Sequence, residues 1–165
     1  MNDLIKRAKV RDADAFTELM QLFMKDMYRT SIAILQHDED AADAIQDTIL
    51  VCWEKIDTLK KPKYFKTWMT RILINKCYDI LNQRKHTVSF EECEEPVIQE
   101  TPKDKITELL SVLDEKYRVP MLLFYLQGYK ISEIAELLHI PKSTVQTRLA
   151  RGRKKFAALY AAERK

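Results

Sequence analysis

Residues 131–156, ISEIAELLHIPKSTVQTRLARGRKKF, restrict the fold more than any other stretch of this chain. Ile131, Ile134, Ala135 and Leu138 recur at the spacing of one helical face. Ser132 is placed to cap that helix, and Gly128 suits the end of a helix before it. Pro141 stops it, because a residue that precedes proline is pushed out of the α region. His139 falls in the turn, where a positive φ is expected; histidine tolerates that conformation better than most residues with a Cβ. A second helix is expected from Lys142 or Ser143. It puts Val145, Leu149 and Phe156 on one face, and Ser143, Thr144, Gln146, Thr147, Arg148 and Arg151 on the rest. Two helices, a tight turn and a polar, basic second helix describe a helix-turn-helix.

The chemistry of that second helix fits DNA. Hydrogen-bonding side chains read base edges in the major groove, and arginine bridges both acceptors of guanine. Hydroxyls and a helix N-terminus hold phosphates. From His139 to Lys155 the chain carries Lys142, Arg148, Arg151, Arg153, Lys154 and Lys155 and no acid. The bland alternative is an αα-hairpin with a solvated basic face; the unbroken positive sign and the Pro141 turn favour DNA.

Two glycines in 165 residues leave few tight turns and point to long helices throughout. Asp12 or Asp14 can cap a helix bearing Phe16, Leu19, Met20, Phe23 and Met27 at steps of three and four, and the pattern continues through Tyr28, Ile32 and Leu35 as a second helix or a bend. His37 to Asp40 is a helix start, with acids at the positive end of the dipole. In the helix to about Ile56, Ala41, Ile45, Thr48, Ile49 and Cys52 form the inner stripe; Asp40, Asp43, Gln46 and Asp47 form an acidic outer face, which by itself reads as solvated. Asp57 to Lys66 is a basic loop containing Pro62. A helix from Phe65 to Lys85 follows, with Phe65, Trp68, Met69, Ile72, Leu73, Cys77 and Ile80 inward. Trp53 and Trp68 suit base stacking in principle, but their helical spacing favours core.

Residues 86–103 break the pattern with two prolines and several acids, and read as an exposed linker. Beyond it, Ile106, Leu109, Leu110 and Leu113 open a second domain. A helix from about Arg118 to Gln127 is expected there, with Pro120 in its first turn. The expected architecture is all-α: a domain at 1–85, an acidic flexible linker at 86–104, and a helix-turn-helix domain at 105–165.

Several functions are disfavoured. Cys52, Cys77 and Cys93 form no C-x-x-C pair and argue for a reducing cytoplasm; the first two read as buried small hydrophobes. His37, His86 and His139 match no metal spacing, no glycine loop cradles phosphate, and no nucleophile has a nearby base. Neither an enzyme nor a cofactor is expected. No apolar run approaches a membrane span and no signal peptide is visible, so direct membrane insertion is not expected. Acids and bases are segregated along the chain, which suggests separate polyanionic and basic partners.

Three segments resemble one family. DEDAADAIQDTILVCWEKI looks like the core-binding segment of bacterial sigma factors, and FKTWMTRILINKCYDILNQRK is similar to their promoter-melting and recognition helix. LLSVLDEKYRVPMLLFYLQGYKISEIAELLHIPKSTVQTRLARGRKKF resembles their C-terminal domain. Order and spacing match the extracytoplasmic-function (ECF) group of the sigma-70 family, from about Asp12 to Leu159. The resemblance implies partners for each segment: core RNA polymerase (its β′ and β subunits), promoter DNA, and commonly an anti-sigma factor, often anchored in the membrane. It implies core binding by Asp40, Asp43, Gln46 and Asp47. It implies −10 contacts by Lys60, Lys61, Lys63, Lys66, Asn75, Asp79, Asn82 and Arg84, including to a flipped base. It implies −35 reading by Ser143, Thr144, Gln146, Thr147, Arg148 and Arg151. The competing reading is a stand-alone helix-turn-helix repressor or activator, which gives the N-terminal acidic and basic faces no role.

Overall fold

A computed structural model describes residues 1–87 and 104–164, apart from the side chains of residues 86, 87 and 163. The described residues hold helices and turns and no strand. The chain divides into two compact units, Met1–Glu94 and Glu95–Lys165. The expected linker and Cys93 fall mostly or wholly outside the described residues.

In the N-terminal unit, α1 spans Asn2–Lys9, α2 Ala13–Leu35, α3 Asp38–Lys55 and α4 Phe65–Thr87. Asp12 caps α2, its carboxylate accepting from the Ala15 N–H at 3.1 Å. That bond, and then a side-chain bond from Arg7, hold the Asp12 carboxyl below the ordinary carboxylate range. α2 is one continuous helix rather than two. Its first half is amphipathic, with Phe16, Leu19, Met20, Phe23 and Met27 all buried, but from Thr30 to Leu35 every residue is buried. A helix enclosed on all sides has no polar face to keep a period of 3.6, which explains the false bend. α1 was not expected. It contributes Ile5 and Ala8 to the core and packs on α2 and on the loop before α4.

The α3–α4 connection is tighter than a simple loop. Ile56–Thr58 and Pro62–Tyr64 form 3₁₀ turns, Leu59 is buried between them, and Pro62 sits at the first position of its turn. α4 begins at Phe65, so Lys66 belongs to the helix and not to the loop. Phe65, Met69, Leu73 and Cys77 are buried as expected, joined by Thr70 and Ile74; Trp68, Ile72 and Ile80 are only half-buried. Each large apolar side chain removed from water here contributes about 1.5–3 kcal/mol before entropy is counted. Trp53 stands edge-on to Phe16 with ring centroids 5.0 Å apart, and Trp68 lies against Phe65 at 5.8 Å.

In the C-terminal unit, α5 spans Lys105–Leu110, α6 Glu115–Met121, α7 Ile131–Leu138 and α8 Lys142–Glu163. α6 starts earlier than expected, after Asp114, so Pro120 lies inside it and not in its first turn. Proline withholds one helical N–H. A π-helical turn, Leu122–Leu126, follows immediately, closed by the Gln127 N–H on the Leu122 carbonyl at 3.2 Å. Gly128 then adopts φ +73, the left-handed geometry that ends this segment.

Candidate nucleic-acid and polymerase interfaces

α7 begins at Ile131 behind Lys130, and Ser132 is its second residue and not its cap. The start signal is instead Glu133, which folds back and accepts from the Lys130 N–H at 3.0 Å. His139 closes α7 in the left-handed conformation, φ 56 and ψ 43, as its place in the turn required. Pro141 then precedes α8, which runs past Phe156 to Glu163.

Val145 and Leu149 are buried in the domain, which fixes the rotation of α8. Ser143, Gln146, Thr147 and Arg151 are exposed, and Thr144 and Arg148 are half-buried. The Thr147 hydroxyl donates to the Ser143 carbonyl at 3.0 Å. Five of these residues (Ser143, Thr144, Thr147, Arg148 and Arg151) line a concavity of about 320 Å³ that Lys116 and Tyr117 of α6 complete. Lys116 and Lys155 both lie over the Tyr117 ring, at 5.1 and 5.5 Å. Gln146 is not on that wall. Arg153 is steered by Tyr125, its guanidinium donating to the phenol oxygen at 2.9 Å.

Gly152 makes this arrangement possible. A Cβ there would sit 2.6 Å from the Met121 sulfur and 3.3 Å from the Tyr117 Cβ. Glycine lets α8 approach α6 closely enough to bring Lys116 and Tyr117 to the rim. A glycine within a helical pattern was the available signal, but its partners are over thirty residues away.

On α3, Asp43, Gln46 and Asp47 are exposed, and Ala41, Ala44, Ile45, Thr48 and Cys52 face inward. Leu50 is 55% exposed on the same stripe as Asp43 and Asp47. The sequence reading missed it, although an apolar residue seven positions from Asp43 was visible. Asp40 is not on the open face as expected. It is half-buried and ion-paired with Arg84 of α4, whose guanidinium also donates to the Leu35 carbonyl at 3.3 Å. His37 caps the same helix start and lies 3.7 Å from the Asp40 carboxylate.

On the remaining surface, Lys60, Lys61 and Lys63 are exposed on the short turns, and Lys66 is half-buried. Asn75, Asp79 and Asn82 are exposed and recur at steps of four and three, one stripe of α4; Arg71 extends it. Thus Asn75, Asp79 and Asn82 come together, whereas Arg84 joins the α2–α3 junction. Burial pushes the Cys52 and Cys77 thiols up to about 12, so both are inert at neutral pH. Among the described residues no group of metal-ligating side chains occurs, and no helix is long and apolar enough to cross a membrane.

Comparison with known proteins matches both units to one family. The model of sigma-70 region 2 matches residues 19–87, and that of sigma-70 region 4 matches residues 103–156. The ECF RNA polymerase sigma factor SigW of Bacillus subtilis is 26% identical, over 90% of both chains. The sigma factor NccH of Alcaligenes xylosoxydans is 28% identical, over 94% of this chain and 92% of its own. Among solved structures, RpoE of Bartonella quintana, in complex with the anti-sigma factor NepR, superposes with a TM-score of 0.72 at 21% identity, over 88% of this chain and 96% of its own. With the two regions in order and full-length relatives in one group, the chain belongs to the ECF group of the sigma-70 family: it is a sigma factor, which binds core RNA polymerase and directs initiation at promoters.

Proposed function

We propose a division of labour among the surfaces described above. Residues 1–85 act as region 2 and residues 105–165 as region 4, joined by 86–104. The outer face of α3, Asp43, Gln46 and Asp47 with Leu50 among them, docks on the β′ subunit of core polymerase. Lys60, Lys61 and Lys63 hold phosphates of the melted −10 strand without reading sequence. Asn75, Asp79 and Asn82 carry the amides and carboxylate that read exposed base edges. The α8 wall reads the −35 element: Arg148 and Arg151 are the base-reading candidates with Gln146 and Thr147. Ser143, Thr144 and Lys116 anchor phosphates beside the N-terminus of α8. The observation that carries this reading is the separation of an acidic face on α3, a basic set on the turns before α4 and a basic face on α8, with α3 and α8 each fixed by its own buried stripe.

Control by an anti-sigma protein is part of the same proposal. RpoE of Bartonella quintana has been solved with NepR, and CnrH with the cytosolic domain of CnrY. A comparable partner for this chain would cover the polymerase and promoter faces. Run-off transcription with core polymerase on genomic fragments tests the whole reading. Promoter-specific transcripts are expected only with core present. Reversing Asp43 and Asp47 to lysine should weaken core binding at least tenfold with circular dichroism unchanged, since both lie off the buried stripe. Unaltered affinity would remove α3 from the polymerase interface.

A further inference from the structure

We propose that Lys9 and Arg11 are positioning residues for −10 recognition: the α1–α2 corner fastens the turns that carry Lys60, Lys61 and Lys63. The inference rests on the reading of those lysines as −10 contacts. It concerns residues that lie before the region 2 match, which begins at residue 19.

The corner reaches across the sequence to two backbone sites. The Lys9 ammonium donates to the Leu59 carbonyl at 2.6 Å, the residue buried between the two 3₁₀ turns. The Arg11 guanidinium donates to the carbonyls of Trp53, and of Glu54 at 3.3 Å, in the last turn of α3. It lies 5.3 Å over the Trp53 ring and 3.7 Å from the Asp57 carboxylate. These are the carbonyls that a helix end leaves without partners, and a cation there also meets the negative end of the dipole. Arg11 itself holds φ 69, a left-handed conformation that is unfavourable for a residue with a Cβ. Surrounding structure sustains such a residue, and here the turn aims its side chain back at α3. Ile5 and Ala8, both fully buried, seat α1 against the same turns.

Lys9 and Arg11 therefore differ in role from the loop lysines, although all are cations. Their charge is directed at backbone carbonyls and Asp57, although Arg11 is itself partly exposed; Lys60 and Lys61 are exposed, and Lys63, also exposed, lies 4.9 Å over the Tyr64 ring. If the corner is released, the Leu59 carbonyl loses its tether, α3 loses its terminal donors, and the lysines no longer meet phosphates at fixed spacing.

The test uses the full chain with core polymerase and a promoter recovered by run-off selection, prepared with mismatched −10 strands so that they are already melted. The readout is the slope of log affinity against log salt, which counts phosphates neutralised, at about 0.7 each on a single strand. Lys60→Ala with Lys61→Ala and Lys63→Ala should reduce the slope by about 2.1, three contacts' worth. Lys9→Met with Arg11→Gln should reduce it similarly, and all five changes together should go no further than either set. A merely destabilised protein loses active fraction but keeps its slope, so an unchanged slope overturns the proposal. Additive slopes also overturn it, because the corner would then touch DNA directly. Lys9→Met alone leaves the α3 cap in place and repeats the test if the double variant does not fold. A silent lysine triple variant would instead sink the −10 reading of the loop, and this inference with it.

Discussion

Arg84→Met tests whether the junction of α2, α3 and α4 is held by charge. Two interactions are lost: the ion pair with Asp40 and the bond to the Leu35 carbonyl. Exposed ion pairs contribute roughly 0.2–1 kcal/mol, and removing one partner of a buried pair costs about 3–5 kcal/mol. The side chains here are 35% and 22% exposed, so the pair belongs between those limits, at about 1–2 kcal/mol. The carbonyl bond adds about 1 kcal/mol. The total, roughly 2–3 kcal/mol, corresponds to about 10–15 °C in the melting of a unit of this size. The assay is a double-mutant cycle by thermal melting, with Asp40→Asn, Arg84→Met and both. A coupling energy of about 1–2 kcal/mol is expected, shrinking as salt rises. Asn82→Ala, exposed two residues away, should leave the melt within about 0.5 kcal/mol of wild type. Coupling below about 0.3 kcal/mol, together with a selective loss of −10 binding by Arg84→Met, would refute the argument and return Arg84 to the DNA interface.

Two further outcomes follow from the packing. Gly152→Leu should destabilise the C-terminal unit by about 1–3 kcal/mol through overpacking against Met121 and Tyr117, and weaken −35 binding; a thermal melt and a −35 duplex titration check it, and an unaltered melt would mean that α6 and α8 separate freely. Cys52 and Cys77, with thiols at about 12, should be alkylated at pH 8 at least a thousandfold more slowly than a free cysteine until the unit unfolds. Their linkage has a definite sign: between about pH 9 and 12 the unfolded thiols ionise first, so this contribution to stability falls as pH rises through that window. Rapid labelling of the native protein, or stability that climbs over that range, would contradict the burial.

The elements that showed plainly in the sequence are those with one wet and one dry face. α3, α4, α7 and α8 each alternate apolar and polar residues at helical spacing, so their existence and inner stripes were readable to within a few residues. α2 lost its period where Thr30–Leu35 is enclosed on all sides. α1 was hidden for the opposite reason: an eight-residue helix with four charged residues and two buried ones derives its stability from what it packs on, not from its own pattern. The start of α6 and the cap of α7 were misplaced because proline and serine were given their usual positions. The backbone instead used Asp114 and the Glu133 carboxylate on the Lys130 N–H. For the site residues, the sequence placed side chains on a face but not in a pair. Asp40 and Arg84 are 44 positions apart, and nothing periodic links them.

That last gap bears on how charge is counted on this chain. The 28 lysines and arginines against 25 acids suggest a modest positive balance, and the basic stretches invite every cation in them to be assigned to DNA. In the N-terminal unit, however, Lys9, Arg11 and Arg84 each reach a carbonyl at a helix end or turn, and two of them also meet an acid. These cations complete backbone groups that the helices cannot satisfy themselves. They release no phosphate counterions while so engaged. The salt dependence of promoter binding should therefore track the exposed set, Lys60, Lys61 and Lys63 with the α8 face, and fall short of what the basic composition implies. On the proposed reading, the carbonyl-bound cations act one step earlier, by fixing the geometry in which the exposed ones meet the strand.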